Sequence, residues 1–134
     1  MAAPDDRKPR LPHAAPFLLL DTVLDIEERR GIFVKLVSAT DPCLAPDGTL
    51  PSAFVLEAIA QGGGALLNAR DAGSAGYLAS VDDFRTHRTV RAGDTLRIEV
   101  EVVRHTGAAT LFRGRALVED DLCAEGRFTL ALPR

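Results

Sequence analysis

Glu57 is the one charged residue in the run Pro51-Ser-Ala-Phe-Val-Leu-Glu-Ala-Ile-Ala-Gln-Gly-Gly-Gly-Ala-Leu-Leu67. Apart from Ser52 and Gln61, everything around it is apolar or glycine. A carboxylate in such a segment is costly unless it is paired, protonated or employed. The same surroundings shift acidity, which makes a buried carboxylate useful as a general acid or base. Two readings stand side by side: a glutamate tied to backbone or to an arginine at a helix end, or an acid–base group. The natural partner for proton transfer near neutral pH is an imidazole. The chain has three: His13, His87 and His105. His105 precedes Thr106-Gly107 and reads as a turn-flanking surface residue. Cys43 and Cys123 have neither CxxC spacing nor a companion histidine cluster, so no metal site is expected. Cys43 is a poor base for a carbon acid and reads as an inert thiol.

The elements that must hold these groups follow from the pattern. Residues 1–10 are polar and proline-bearing and read as a flexible leader, with one domain from residue 11 to 134. Leu11 to Phe17 is proline-bounded, at best a short helical turn. Val23–Glu28 and Gly31–Thr40 are expected strands around a turn at Arg29-Arg30-Gly31, rich in β-formers in the second. Asp41 to Thr49 is loop. A helix is expected from Pro51, a residue favoured in the first helical turn, to about Ala69. It is apolar on nearly every face, so it should be buried rather than merely amphipathic. Gly62, Gly63 and Gly64 weaken it by about 1 kcal/mol each relative to alanine. They point to close approach by another backbone; the alternative is a helix that ends at Gln61. Strands then span Tyr77–Val90, Thr95–His105, Thr110–Glu119 and Cys123–Leu132, with turns at Ala92-Gly-Asp94, Thr106-Gly-Ala108 and Glu119-Asp-Asp121. The order β-β-helix-β-β-β-β is an α+β arrangement in which a curved antiparallel sheet wraps one helix.

Bulk properties narrow the partners. The 134 residues suit one domain with a real core. A net charge of −3 offers no footprint for nucleic acid. The late arginines (Arg85, Arg88, Arg91, Arg97, Arg104, Arg113, Arg115) are interspersed with acids and read as a solvated sheet face, or as a patch for an acidic carrier protein. No secretory signal or membrane-spanning run is expected, and a reducing, cytoplasmic setting with both thiols free is the default.

Three motifs carry a resemblance. Leu11-Pro-His-Ala-Ala-Pro-Phe-Leu-Leu-Leu-Asp-Thr-Val23 resembles the L-P-H-R-x-P-F-L-L-V-D-R-V opening of hot-dog-fold 3-hydroxyacyl-acyl-carrier-protein dehydratases. Pro51-Ser-Ala-Phe-Val-Leu-Glu-Ala-Ile-Ala-Gln61 is similar to their P-G-V-L-x-x-E-A-x-A-Q helix. Val90-Arg-Ala-Gly-Asp-Thr-Leu-Arg-Ile-Glu-Val-Glu101 is similar to their V-x-P-G-D-x-L-x-I-E-V-E. The resemblance implies a hot-dog fold, a dimer with sheets continuous across the interface, and acyl thioester tunnels between subunits. It implies no cofactor and no metal. Glu57 matches the helix acid that handles the β-hydroxyl. Ser52, Ala53 and Phe54 at the helix start, together with Gln61, fall where the acyl thioester is held. Helix-terminal N–H groups are suited to polarising a thioester carbonyl, because unpaired donors and partial positive charge meet a developing oxyanion there.

The pattern departs at one point. The family histidine lies in an H-F-P-G-x-P-x-x-P-G segment before the helix, and no histidine occurs here between His13 and His87. Read back from Pro51 without gaps, its position falls on Cys43; with a shortened loop it falls on no residue. Pro46-Asp-Gly-Thr-Leu-Pro51 instead resembles a branch, similar to dehydratase-like proteins of aryl-polyene and polyketide-like gene clusters, in which D-G-x-L-P precedes the helix. His13, in the turn expected near the helix start, and His87, on the strand expected at the dimer interface, are the candidate replacements. The implied activity is dehydration of a 3-hydroxyacyl thioester on acyl-carrier protein or coenzyme A. The alternatives are a non-catalytic acyl-binding subunit paired with an active paralogue, as a heterodimer rather than a homodimer, and an acyl thioesterase.

Overall fold

The computed structural model describes residues 18–70 and 76–132. In chain order the elements are β1 (Thr22–Ile26), β2 (Arg30–Leu36), β3 (Thr49–Leu50), α1 (Ser52–Arg70), β4 (Tyr77–Thr86), β5 (Val90–Arg91), β6 (Thr95–Thr106), β7 (Ala109–Val118) and β8 (Asp121–Ala131). The six long strands form one sheet in the order β1-β2-β6-β7-β8-β4, and β3 with β5 makes a small separate ladder. All pairings are antiparallel.

Strand periodicity sets which side chains meet α1. In β6, Leu96, Ile98, Val100 and Val102 are buried, while Thr95, Glu101 and Val103 are exposed. In β7 and β8 the buried aromatics are Phe112 and Phe128, which lie directly opposite one another in the ladder. These faces close on Val55, Ala58, Ile59, Ala65 and Leu66 of the helix. Burying a side chain such as Ile59 or Leu66 contributes about 1.5–3 kcal/mol relative to exposure. The contact is close at Gly62, where an added Cβ would sit 3.1 Å from Ile98 and 3.3 Å from Phe33 and Val100. At Gly63 it would sit 3.2 Å from Leu130. No helix among the described residues is long and apolar enough to cross a membrane.

Most expected elements are present, with shifted ends. The helix does not stop at Gln61; it continues to Arg70. Its glycines admit side chains of the sheet rather than another backbone. β2 begins at Arg30 and ends at Leu36, so Gly31 belongs to the strand and the turn falls at Glu28 and Arg29. Gly31 is required there because a Cβ would meet the Phe33 ring at 2.8 Å. Beyond Leu36 the backbone folds onto its own side chains, with the Thr40 N–H donating to Ser38 Oγ. The long strand from Tyr77 breaks at Thr86, because the His87 and Arg88 N–H groups both donate to the Cys123 carbonyl. The turns at Gly93 and Gly107 have φ of +96° and +55°, and that at Glu119 has φ of +55°. The leader, the Leu11–Phe17 turn and His13 lie outside the described residues.

Candidate functional site

Glu57 stands in the second turn of α1 and is half-buried. Four residues on, and so one turn along the same face, Gln61 is only 2% exposed. Its Nε2 donates to Glu57 Oε1 at 3.0 Å, and its Oε1 accepts from the Leu19 N–H at 2.8 Å. One buried amide therefore ties the segment preceding β1 to the helix carboxylate. A buried amide left without partners would cost about 1–3 kcal/mol, so this pairing is strongly favoured.

A cleft of about 390 Å³ opens at the start of the helix. It is lined by Ser52 and Val55 of α1, Leu50 of β3, the His87–Thr89 stretch after β4, and Cys123 of β8. His87 Nε2 lies 2.8 Å from Glu125 Oε2, both side chains being 41% exposed. Arg88 pairs with Asp121 at 3.3 Å. Glu57 does not line this cleft. At 3.6 residues per turn, Val55 and Glu57 point about 200° apart around the helix. Val55 lies on the sheet-facing side and Glu57 faces away from it. No hydrogen bond joins His87 to Glu57 among the described residues; the imidazole is engaged by Glu125 instead.

The loop leading into the helix is braced rather than loose. Lys35 is 5% exposed, and its Nζ lies 2.8 Å from Asp41 Oδ2. Asp41 Oδ1 accepts from the Cys43 N–H at 2.9 Å. Burial alone would raise the Asp41 pKa, but the Lys35 ammonium and the Cys43 N–H together hold it below the ordinary value. Burial pushes the Cys43 thiol up, and the Asp41 charge adds to the effect. Burial likewise raises the Cys123 thiol. Asp47 Oδ1 accepts from both the N–H and the hydroxyl of Thr49, fixing the turn before Pro51.

The expected site residues thus divide. Ser52 and Ala53 are exposed at the helix start and Phe54 is half-buried against the core. Gln61 is placed behind Glu57 as a brace. His87 lies in the cleft, and His105 is occupied by Thr110 at 2.6 Å far along β6. The Lys35–Asp41 pair went unnoticed in the sequence. Its signal was available: Lys35 shares strand parity with the buried Phe33 and Val37. On the outer sheet face Glu99 lies 3.0 Å from Arg97 and 2.5 Å from Arg115. Those two guanidinium groups hold its carboxyl below the usual range despite partial burial. Among the described residues no cluster of His, Cys, Asp and Glu could hold a metal ion.

Comparison with known proteins places this geometry. Residues 7–134 match the family model described as ApeP-like, ApeP dehydratase. The chain is 36% identical over 129 residues to the 3-hydroxyacyl-[acyl-carrier-protein] dehydratase FabZ of Geobacillus thermodenitrificans, covering 91% of this chain and 89% of that protein. The dehydratase heterocomplex ApeI:P from Xenorhabdus doucetiae is similar in structure, with a TM-score of 0.86 at 26% identity, covering 100% of this chain and 93% of that one. Thioesterase superfamily member 2 from Mus musculus shares the fold, with a TM-score of 0.72 at 14% identity over 84% of this chain and 81% of that one.

Proposed function

The chain belongs to the ApeP-like dehydratase family, and from that premise we propose that it eliminates water from a 3-hydroxyacyl thioester on an acyl-carrier protein, with Glu57 as acid–base residue. The observation that carries the assignment is the half-buried Glu57 carboxylate, held by a buried amide on the helix face turned away from the sheet. In the elimination a base takes the α-proton, the Cβ–O bond breaks, and an acid protonates the departing hydroxyl to give water and a 2-enoyl thioester. Glu57 can serve as that acid while an imidazole takes the α-proton. It can also do both, passing the α-proton on to the leaving hydroxyl. His87 is the histidine of the described residues that lines the cleft at the helix start.

The working unit is two hot-dog subunits. β4 is hydrogen-bonded to β8 on one side and forms an edge of the sheet on the other. Edge strands present unpaired backbone groups that accept a further strand. A second subunit added there brings another helix and another cleft close to the first.

A second reading is favoured by a specific observation: His87 is engaged by Glu125, and the loop leading into the helix carries no histidine, only the raised thiol of Cys43. On this reading the chain supplies Glu57 and the acyl surface to a histidine-bearing partner, an arrangement consistent with the heterocomplex reported for the Xenorhabdus relative. Thioester hydrolysis ranks below both, since the thioesterase likeness is one of fold. The deciding assay follows enoyl formation from 3-hydroxyacyl-acyl-carrier protein by wild type and Glu57→Gln, each alone and with a histidine-bearing hot-dog subunit. Loss of one partner in an acid–base pair costs about 10²–10⁴-fold. A Glu57→Gln rate equal to wild type in both settings sinks the assignment; activity only in the mixture selects the partner-subunit reading.

A further inference from the structure

Asp82 and Arg85 of β4 are both exposed, and each stands opposite a residue of contrary charge on β8: Asp82 opposite Arg127, Arg85 opposite Glu125. Neither of these cross-strand ion pairs forms. Arg127 is taken by Asp83, the next residue of β4, whose backbone lies in the left-handed region at φ +54°. Glu125 is taken by His87 at 2.8 Å. Among the described residues, Asp82 and Arg85 are left with no ion pair or side-chain hydrogen bond of their own.

A bulge aligns these two unanswered charges. Between Asp82 and Arg85 the register shifts, so that Asp83 and Phe84 together face the single residue Gly126. Glu125 and Arg127 are two apart on β8, and so share a face of the sheet and a phase of the ladder. Their opposites, Asp82 and Arg85, therefore share both as well, although residues three apart on a regular strand point to opposite faces. Residues that face each other across an antiparallel pair must agree in face and in phase, and the bulge lets Asp82 and Arg85 meet that condition. The far side of β4 is a free edge of the sheet. At its start the large apolar side chains of Tyr77 and Leu78 are 58% and 38% exposed.

We propose that β4 pairs antiparallel with β4 of a second copy of this chain, in the register that sets Asp82 opposite Arg85 of the other copy. Twofold symmetry makes each contact occur twice, so one register supplies both missing ion pairs and brings the two bulges together at the axis. An acid and a base at a fixed offset on one strand are answered by the same two residues reversed, which is why the occupant is a second copy. This pairing rests on β4 being the edge at which subunits join, and adds to that reading the occupant and the register. A slip of two residues would carry the second helix and its cleft about 7 Å along the edge. The register therefore also sets what each Glu57 meets across the interface.

The test is the dimer dissociation constant of the full chain, measured by sedimentation for wild type, Asp82→Arg, Arg85→Asp and the double variant, with circular dichroism confirming each fold. Each single variant sets like charges opposite one another twice, and should weaken the dimer about tenfold or more at low salt. Raising the salt should shrink that difference. The double variant reverses both charges and should return to the wild-type constant. A 1:1 mixture of the two single variants should recover as well, because opposite charges then meet at both positions. Single variants that dimerise like wild type, or a mixture that fails to recover, overturn the register. A wild type that stays monomeric and associates only with a histidine-bearing hot-dog subunit overturns the second copy as occupant while leaving β4 as the joining edge. If β4 amides exchange with solvent as fast in the dimer as in the monomer, the subunits join elsewhere, and the β4-edge reading falls together with this pairing.

Discussion

Gly114 of β7 lies directly beneath Ile59 of α1: a Cβ at position 114 would fall 2.2 Å from Ile59 Cγ2. That separation is far inside van der Waals contact, and Ile59 is 1% exposed with little room to retreat. Gly114→Ala is therefore expected to destabilise the fold by about 1–3 kcal/mol through overpacking. Because Ile59→Ala removes the clashing methyl, the double variant should recover part of that loss beyond additivity. Chemical denaturation of the four proteins checks this; strict additivity would contradict it.

His87 and Glu125 form an exposed pair, which contributes about 0–1 kcal/mol to stability. His87→Asn should accordingly leave the melting temperature almost unchanged. Any fall in dehydration rate in that variant then reports chemistry rather than folding. A rate equal to wild type in the homomeric protein would remove His87 as the base and leave the α-proton to His13 or to Glu57 itself.

The Lys35–Asp41 pair makes the fold acid-sensitive. Asp41 is held below its ordinary value in the folded state, against about 3.9 when unfolded. A depressed carboxyl contributes stability that is complete above the unfolded value and is lost as pH falls through the folded one. Stability should therefore decline below about pH 4, and Glu99 adds to the decline in the same sense. Asp41→Asn leaves the Lys35 ammonium buried without its counter-charge, and should cost about 3–5 kcal/mol at pH 7. It should also flatten the loss below pH 4. Melting curves at pH 7, 5 and 3.5 measure both effects.

Both thiols are raised by burial, and both are free. Since the thiolate is the reactive form, alkylation by iodoacetamide at pH 7 should be slower than for a small-molecule thiol. Cys43, half-buried, should react before Cys123, which is 1% exposed. Peptide mass mapping over time resolves the order. Fast labelling of Cys43 at neutral pH would contradict its reading as an inert thiol.

The residues disclosed some of this architecture and concealed the rest, for physical reasons. The apolar run from Pro51 was long enough to announce a buried helix, and Ser52–Arg70 matches it closely. Alternation in Thr95–His105 likewise announced β6. The β3–β5 ladder was illegible, because two-residue strands have no period. Strand ends were misjudged where side chains or carbonyls capture the backbone, as Ser38 and Cys123 do. The i,i+4 spacing of Glu57 and Gln61 was visible, but nothing local could reveal that Leu19 fixes the amide from 42 positions away. The same holds for His87, whose partner Glu125 lies 38 positions on.

The glycine notches of α1 have a consequence for selectivity. Gly62 and Gly63 let the sheet settle so close that even a methyl group there must displace Ile98, Phe33, Val100 or Leu130. No hydrocarbon tail can thread between helix and sheet at that level. On the proposed function, a substrate's length would be gauged outside this layer, on the Glu57 side of the helix or by a subunit joined at the β4 edge. Exchanging that neighbour, rather than resculpting the core, is the route by which such a protein would learn to prefer a different chain.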